Sequence, residues 1–280
     1  MKKFKKLWPL FLTKEKVMIT FIVFILLNIT IFIAFQGSIY SHDGYKDIYP
    51  QTGLEFFYYL HTIGITPFLF IIMMLLMPNI ISYDVLNLQQ THASYMIETR
   101  LSKKSYYQKI FIQNIIFSTL IVIVIEILIL GLIHIFYAPI HFNIVEYPEL
   151  YYCKTQLLFH NEILSWISFV VLTGCGYGLI SSLLFSLQVI ISNKYIYRCF
   201  GVIFGILLVL FPALIQGFIP INDAAFILQI NNLVALGMEN VRANPLGLSH
   251  FALYLICFVI YAGISYIAYQ TLLKWRKCYD

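Results

Sequence analysis

The sequence predicts an all-α integral membrane protein of six transmembrane helices, with the N- and C-termini cytoplasmic. Three observations carry that expectation. The chain is 60% hydrophobic and 11% charged over 280 residues, and its mean hydropathy is +0.82, which excludes an ordinary soluble domain. Six apolar runs lie at 17–37, 63–83, 110–137, 163–191, 200–219 and 251–273. Each holds about 20 residues or more, enough to cross a hydrocarbon layer about 30 Å thick at about 1.5 Å per residue. Fifteen of the 18 Lys and Arg residues fall in alternate gaps between these runs, and such a bias marks the cytoplasmic side.

Along the chain, the first gap holds Lys2, Lys3, Lys5, Lys6, Lys14 and Lys16. Residues 3–12 place Phe4, Leu7, Trp8 and Phe11 at helical spacing among lysines, so an interfacial N-terminal helix lying in the inner headgroup layer is expected despite Pro9. The run 17–37 is too long for a signal-peptide core and lacks a small-x-small cleavage site, so it is read as the first span. The outer gap 38–62 begins polar and becomes aromatic at Phe56, Phe57, Tyr58 and Tyr59, a rim segment docked at the outer interface. Pro67 and Pro78 lie in the second span, and a kink is expected near Pro78.

The inner gap 84–109 has no Pro or Gly. It reads as a helical extension of span two, a short helix over 91–99, then a turn at Leu101 and Ser102 into span three. Span three carries Glu126, the one ionisable side chain deep within a run, with His134 two turns later. Spans four and five contain the pairs Gly174/Gly178 and Gly201/Gly205, which let helix backbones approach closely in lipid; packing within one chain is their expected use. Residues 220–250 are too apolar for a solvated loop and too short to span twice. They read as a re-entrant or interfacial helical hairpin, capped at Asn222 or Asp223, with short helices over 224–230 and 233–238. Residues 1–280 form a single membrane domain on this reading.

Several chemistries are excluded. The chain has no GxxxxGK[ST] loop and no HExxH or GxSxG motif, so neither catalytic residues nor a cofactor is expected in it. His134 and His141 are separated by Pro139 and have no nearby third ligand, so no metal site is expected. Of the five cysteines only Cys153 is clearly external, which argues against a disulfide framework. The net charge of +5 suits anchoring to anionic lipid at the inner face, not nucleic acid. Abundant Ile, Phe, Tyr and Asn, with Lys over Arg, suggest a bacterial cell membrane. An ionised Glu126 at mid-bilayer costs about 2.5–3.5 kcal/mol on insertion scales, so it must face protein or water. It either lines a substrate path with His134 and Tyr177 or packs as a protonated acid against another helix.

The inner gap resembles the coupling region of the ABC-2 family of exporter permeases. Asp84 stands for that family's acid after span two. Leu101, Ser102, Lys103 and Lys104 match its aliphatic-Ser-basic-basic stretch, and Lys109 matches the closing lysine. Arg100 occupies the usual proline position, a departure from the pattern. The small-residue fourth span ending in a basic turn over 178–198 and the apolar hairpin before the last span also fit. The resemblance implies a permease paired with a second permease copy or paralogue and with two ABC ATPase subunits that carry ATP and Mg. It assigns ATPase coupling to Asp84, Thr91, His92, Ser94, Tyr95, Glu98 and Arg100. The chain's 24 Phe and 21 Tyr suit export of an amphipathic or hydrophobic substrate: a peptide, an antimicrobial or a lipid-like molecule. Two rivals stand beside this reading. One is an intramembrane enzyme acting on lipid or peptide through Glu126, whose separation from His134 is about 12 Å along a helix. The other is a non-transporting immunity or sensor subunit.

Overall fold

In the computed structural model, residues 14–40, 53–63, 66–90, 103–137, 139–142, 159, 161–191, 193–218, 226–237 and 246–278 are described. The expected interfacial helix at 3–12 and the short helix at 91–99 lie outside them, as do Thr91, His92, Ser94, Tyr95, Glu98 and Arg100. The described residues form helices α1 (Lys14–Tyr40), α2 (Gly53–Leu60), α3 (Pro67–Ile80), α4 (Ser82–Gln90), α5 (Lys103–Phe136), α6 (Glu162–Ser186), α7 (Lys194–Phe218), α8 (Asn231–Val234) and α9 (His250–Cys278). Among the described residues there is no strand.

Five of these helices, α1, α5, α6, α7 and α9, are long and apolar enough to cross a membrane. The remaining apolar run is divided: α3 and α4 qualify only as a pair, bent by 41°. The break falls at Ile81 (φ −130°, ψ −38°), beyond Pro78, which stays inside α3. It coincides with the point where the sequence turns from aliphatic to polar at Ser82 and Asp84. Pro78 still leaves its mark, because proline has no N–H for the carbonyl four residues earlier. That carbonyl belongs to Met74, and Gly201 of α7 packs against it so closely that a β-carbon at 201 would collide with it.

Glycines set the other tight contacts in the same way. A β-carbon on Gly174 would lie 2.9 Å from Ile123 Cγ1, and one on Gly178 would lie 2.9 Å from the Ile115 carbonyl, so α6 lies directly on α5. Gly205 meets the Met74 side chain, extending the α3–α7 seam. Gly176, on another face of α6, is pressed against the Leu233 carbonyl.

Helix starts are capped by side chains absent from the motif reading. Asn161 Oδ1 accepts from the backbone N–H of Ile163 and Leu164, and Asn193 Oδ1 accepts from those of Tyr195 and Ile196. Each cap is worth about 1 kcal/mol. Around the α6 centre pack α5, α9, α8 and part of α3. Helix α1 lies at the edge, placing Val23, Leu27 and Ile31 inward and leaving Phe21, Phe32 and Ile33 exposed.

The gaps 38–62 and 220–250 also depart from the expected rim segment and helical hairpin. Helix α2 is buried, with Phe56, Phe57 and Leu60 almost fully enclosed, and Gly53 N–H donates to the Pro139 carbonyl at 2.8 Å. Where two helices were expected at 224–230 and 233–238, the described residues 226–237 hold helix at 226–227 and the four-residue α8, joined and followed by turns. Backbone carbonyls of this stretch also accept from side chains. Tyr261 OH on α9 donates to Leu228 O at 3.1 Å and Asn232 Nδ2 to Phe226 O at 2.7 Å. Irregular backbone survives at such depth only with partners of this kind.

Candidate functional site

Helix α5 carries the polar chemistry of the interior. Asn114, Ser118 and Glu126 fall at intervals of four and eight residues, which puts them on one helical face. All are at most 1% exposed. The stripe is about 18 Å long at about 1.5 Å per residue, and it ends in two different polar sites.

At the upper end, Glu126 Oε2 lies 2.8 Å from His61 Nε2. His61 sits in the connection after α2, and its Nδ1 lies 2.8 Å from the Phe57 carbonyl. A carbonyl only accepts, so Nδ1 carries a proton. One further proton must then lie between Nε2 and Oε2, giving either an imidazolium–carboxylate or an imidazole–carboxylic acid pair. Burial acts to lower the His61 pKa, but the Glu126 charge, its hydrogen bond and the Phe57 carbonyl overcome this and leave the value raised. The ring is enclosed by Phe57 and Phe169, at centroid distances of 4.6 and 5.1 Å. Bonding here is sparse: Glu126 Oε1 and the neighbouring Thr62 hydroxyl are buried with no hydrogen-bond partner among the described residues. Tyr177 of α6 lies within electrostatic reach of Glu126 and shares with His61 and Thr66 the wall of a cavity of ≈ 10 Å³. That is the room a single water needs and far too little for an organic substrate.

At the lower end, side chains from four helices meet at the α3–α4 bend. Asn114 Nδ2 and Ser118 Oγ both donate to Ser181 Oγ at 2.9 Å. Ser82 Oγ donates to Asn114 Oδ1 at 3.3 Å, and Gln188 Nε2 donates to the Ser82 carbonyl at 2.6 Å. At the very next residue of α6 after Ser181, Ser182 is tied to Ser265 of α9 at 2.7 Å. Helix α7 grips the same joint from outside. Lys194 Nζ donates to Asn87 Oδ1 at 3.0 Å, and the Arg198 guanidinium stacks 3.8 Å from the Tyr83 ring centroid.

The sequence-derived residues thus separate. Glu126 and Tyr177 come together. His134 does not join them: it is exposed, and its Nδ1 accepts from the Ile140 N–H at 3.1 Å, finishing the helix end. Asp84 lies in the first turn of α4, at the bend. Gly174 and Gly178 face α5, and Gly201 and Gly205 face α3. His61, Asn114, Ser118, Ser82 and Gln188 were not foreseen. The four- and eight-residue spacing on α5 was the signal for Asn114 and Ser118; nothing local pairs His61 with a residue 65 positions away. No group of three or more His, Cys, Asp or Glu suited to a metal occurs among the described residues.

A third feature faces outward. Helices α1, α3 and α5 enclose a lateral groove of ≈ 760 Å³ whose wall is aliphatic and aromatic save for Thr20 and Asn79. Comparison with family models, curated proteins and solved structures finds no match to the chain.

Proposed function

We propose that the chain is the membrane-spanning permease subunit of an ATP-driven exporter of the ABC-2 type, moving an amphipathic or hydrophobic substrate outward by alternating access. It would span the cell membrane six times, with the α3–α4 pair as one bent crossing and both termini inside. A second permease copy or paralogue and two ATPase subunits, which bind ATP and Mg, complete the machine.

The observation that carries the reading is the clamped bend. Helix α4 leads from the membrane helix α3 into the polar stretch 84–109. Its first residue, Ser82, is bonded to Asn114 of α5 and to Gln188 just beyond the end of α6, and its Asn87 accepts from Lys194 of α7. A partner pushing on 91–102 has a lever with a pivot at Ile81, and α5 carries the motion to the His61–Glu126 contact at the far end of its polar stripe. That contact ties α2 to α5 and α6, and parting it would open the interior beside Tyr177. Rigid-body gating of this kind converts small displacements into switched access. An aromatic enclosure around one buried acid suits an amphipathic cargo better than a hydrated ion.

The test is co-purification and turnover with the genomic-neighbour ATPase. The double variant Tyr95→Ala/Glu98→Ala should keep complex assembly measurable but lower cargo-stimulated ATP hydrolysis at least tenfold. An isolated chain that never retains an ATPase, or a double variant with unchanged transport, would overturn the assignment.

A further inference from the structure

The lateral groove has a depth that suggests its occupant. Its wall runs over residues 17–27 of α1 and 117–128 of α5, closed at the back by residues 76–81 at the end of α3. At about 1.5 Å per residue both side walls are about 15–17 Å tall, the hydrocarbon thickness of one leaflet of a bilayer about 30 Å thick. Only Thr20 and Asn79 interrupt the apolar lining, so the groove offers no partners for a headgroup or for irregular peptide backbone. Its outer lips, Phe21 and Phe24 on α1 and Leu120 and Val124 on α5, are exposed and continue the surface that faces lipid.

Charge at the foot of the two walls completes the picture. Helix α1 begins with Lys14 and Lys16 around Glu15, within one turn of Val17. Helix α5 begins with Lys103 and Lys104 and carries Lys109 a turn and a half on, and Lys104 and Lys109 are exposed. Lys14 and Lys16 precede Val17 in the sequence of α1, and exposed Lys109 lies about 12 Å before Phe117 along α5; basic residues toward such a boundary attract anionic lipid.

We propose that this groove is a binding site for one anionic phospholipid of the leaflet on the α1 N-terminal side, its acyl chain lying between α1 and α5 and its headgroup phosphate at the lysines. The site fastens the edge helix α1 to the core through lipid. It is independent of the exporter reading.

Native mass spectrometry of the full chain released from nanodiscs of mixed phosphatidylglycerol and phosphatidylcholine tests it. The wild type should retain one phospholipid with at least a fivefold preference for phosphatidylglycerol. Thr20→Trp/Val124→Trp fills the groove and should remove that adduct while helix content by circular dichroism is kept. Lys14→Gln/Lys16→Gln, which changes no lining residue, should retain one lipid but lose the preference for phosphatidylglycerol. Equal retention of both lipids by the wild type, or an undiminished adduct in the filled variant, overturns the proposal. So does a filled variant that turns a dimer into a monomer, which would assign the groove to a second copy. Higher lipid retention after deletion of residues 2–12 would assign it to that segment instead.

Discussion

The two ends of the α5 polar stripe are built on opposite principles. Around Ser181 the groups are neutral, and the central hydroxyl accepts from two donors on α5 and lies 3.4 Å from the Met77 carbonyl. At Glu126 there is a single bond of 2.8 Å between two titratable groups, beside oxygens that find no partner among the described residues. A neutral network of several mutual bonds holds one geometry over a wide pH range, because breaking any of them leaves buried groups unsatisfied, even though Gln188 Oε1 finds no partner among the described residues. A lone shared proton gives a contact that can be broken by one chemical event. The difference marks the bend as a rigid joint and the α2–α5 contact as the part suited to open.

The sharpest way to break that contrast is Glu126→Ala, which leaves the His61 ring buried without its partner. Unfolding in a denaturing-detergent titration should lose about 3–5 kcal/mol of stability, the cost of removing one member of a buried pair. A loss below about 1 kcal/mol would mean that the site is wetter than its burial implies. Next in size is Ser181→Ala, which orphans donors on Asn114 and Ser118; about 1–3 kcal/mol should be lost, equally at pH 6 and pH 9. A pH-dependent loss at Ser181 would erase the distinction between the two ends.

The smallest effect is the pH slope itself. His61 has its folded pKa raised above the ordinary 6.5. Its contribution is therefore fully present below that value and is lost as pH rises through the folded one. Wild-type stability relative to His61→Phe should shrink across that window as pH increases. Glu126→Gln, which keeps the shape but not the charge, should flatten the slope, and a slope of the same steepness in this variant would remove the Glu126 charge as a cause of the raised His61 value.

What was readable in advance follows from how local each signal is. Long apolar runs and the glycine pairs are properties of neighbouring residues, so five helices long and apolar enough to cross a membrane and the small-residue seams were visible. Glu126 stood out because a carboxylate in an apolar run is costly. Its partner was hidden: His61 lies in an outer gap whose aromatic run, ending in Phe57, Tyr58 and Tyr59, read as an interfacial rim. Burial of α2 against α5 depends on contacts across the fold. His134 looked like a partner because it is close along the helix, yet it lies on the exposed face and finishes the helix end. The broken second span was placed near its proline, whereas the break came where polarity changes at Ser82. Proline in a membrane helix displaces a hydrogen bond without dictating where the axis turns.

That displaced hydrogen bond has a mechanical consequence. The Met74 carbonyl, stripped of its helical donor by Pro78, meets a residue with no side chain on the opposing helix. Two backbones therefore touch with nothing between them to shear or repack. Such a contact fixes the separation of α3 and α7 at that point, so a displacement of one helix there is passed to the other without slack.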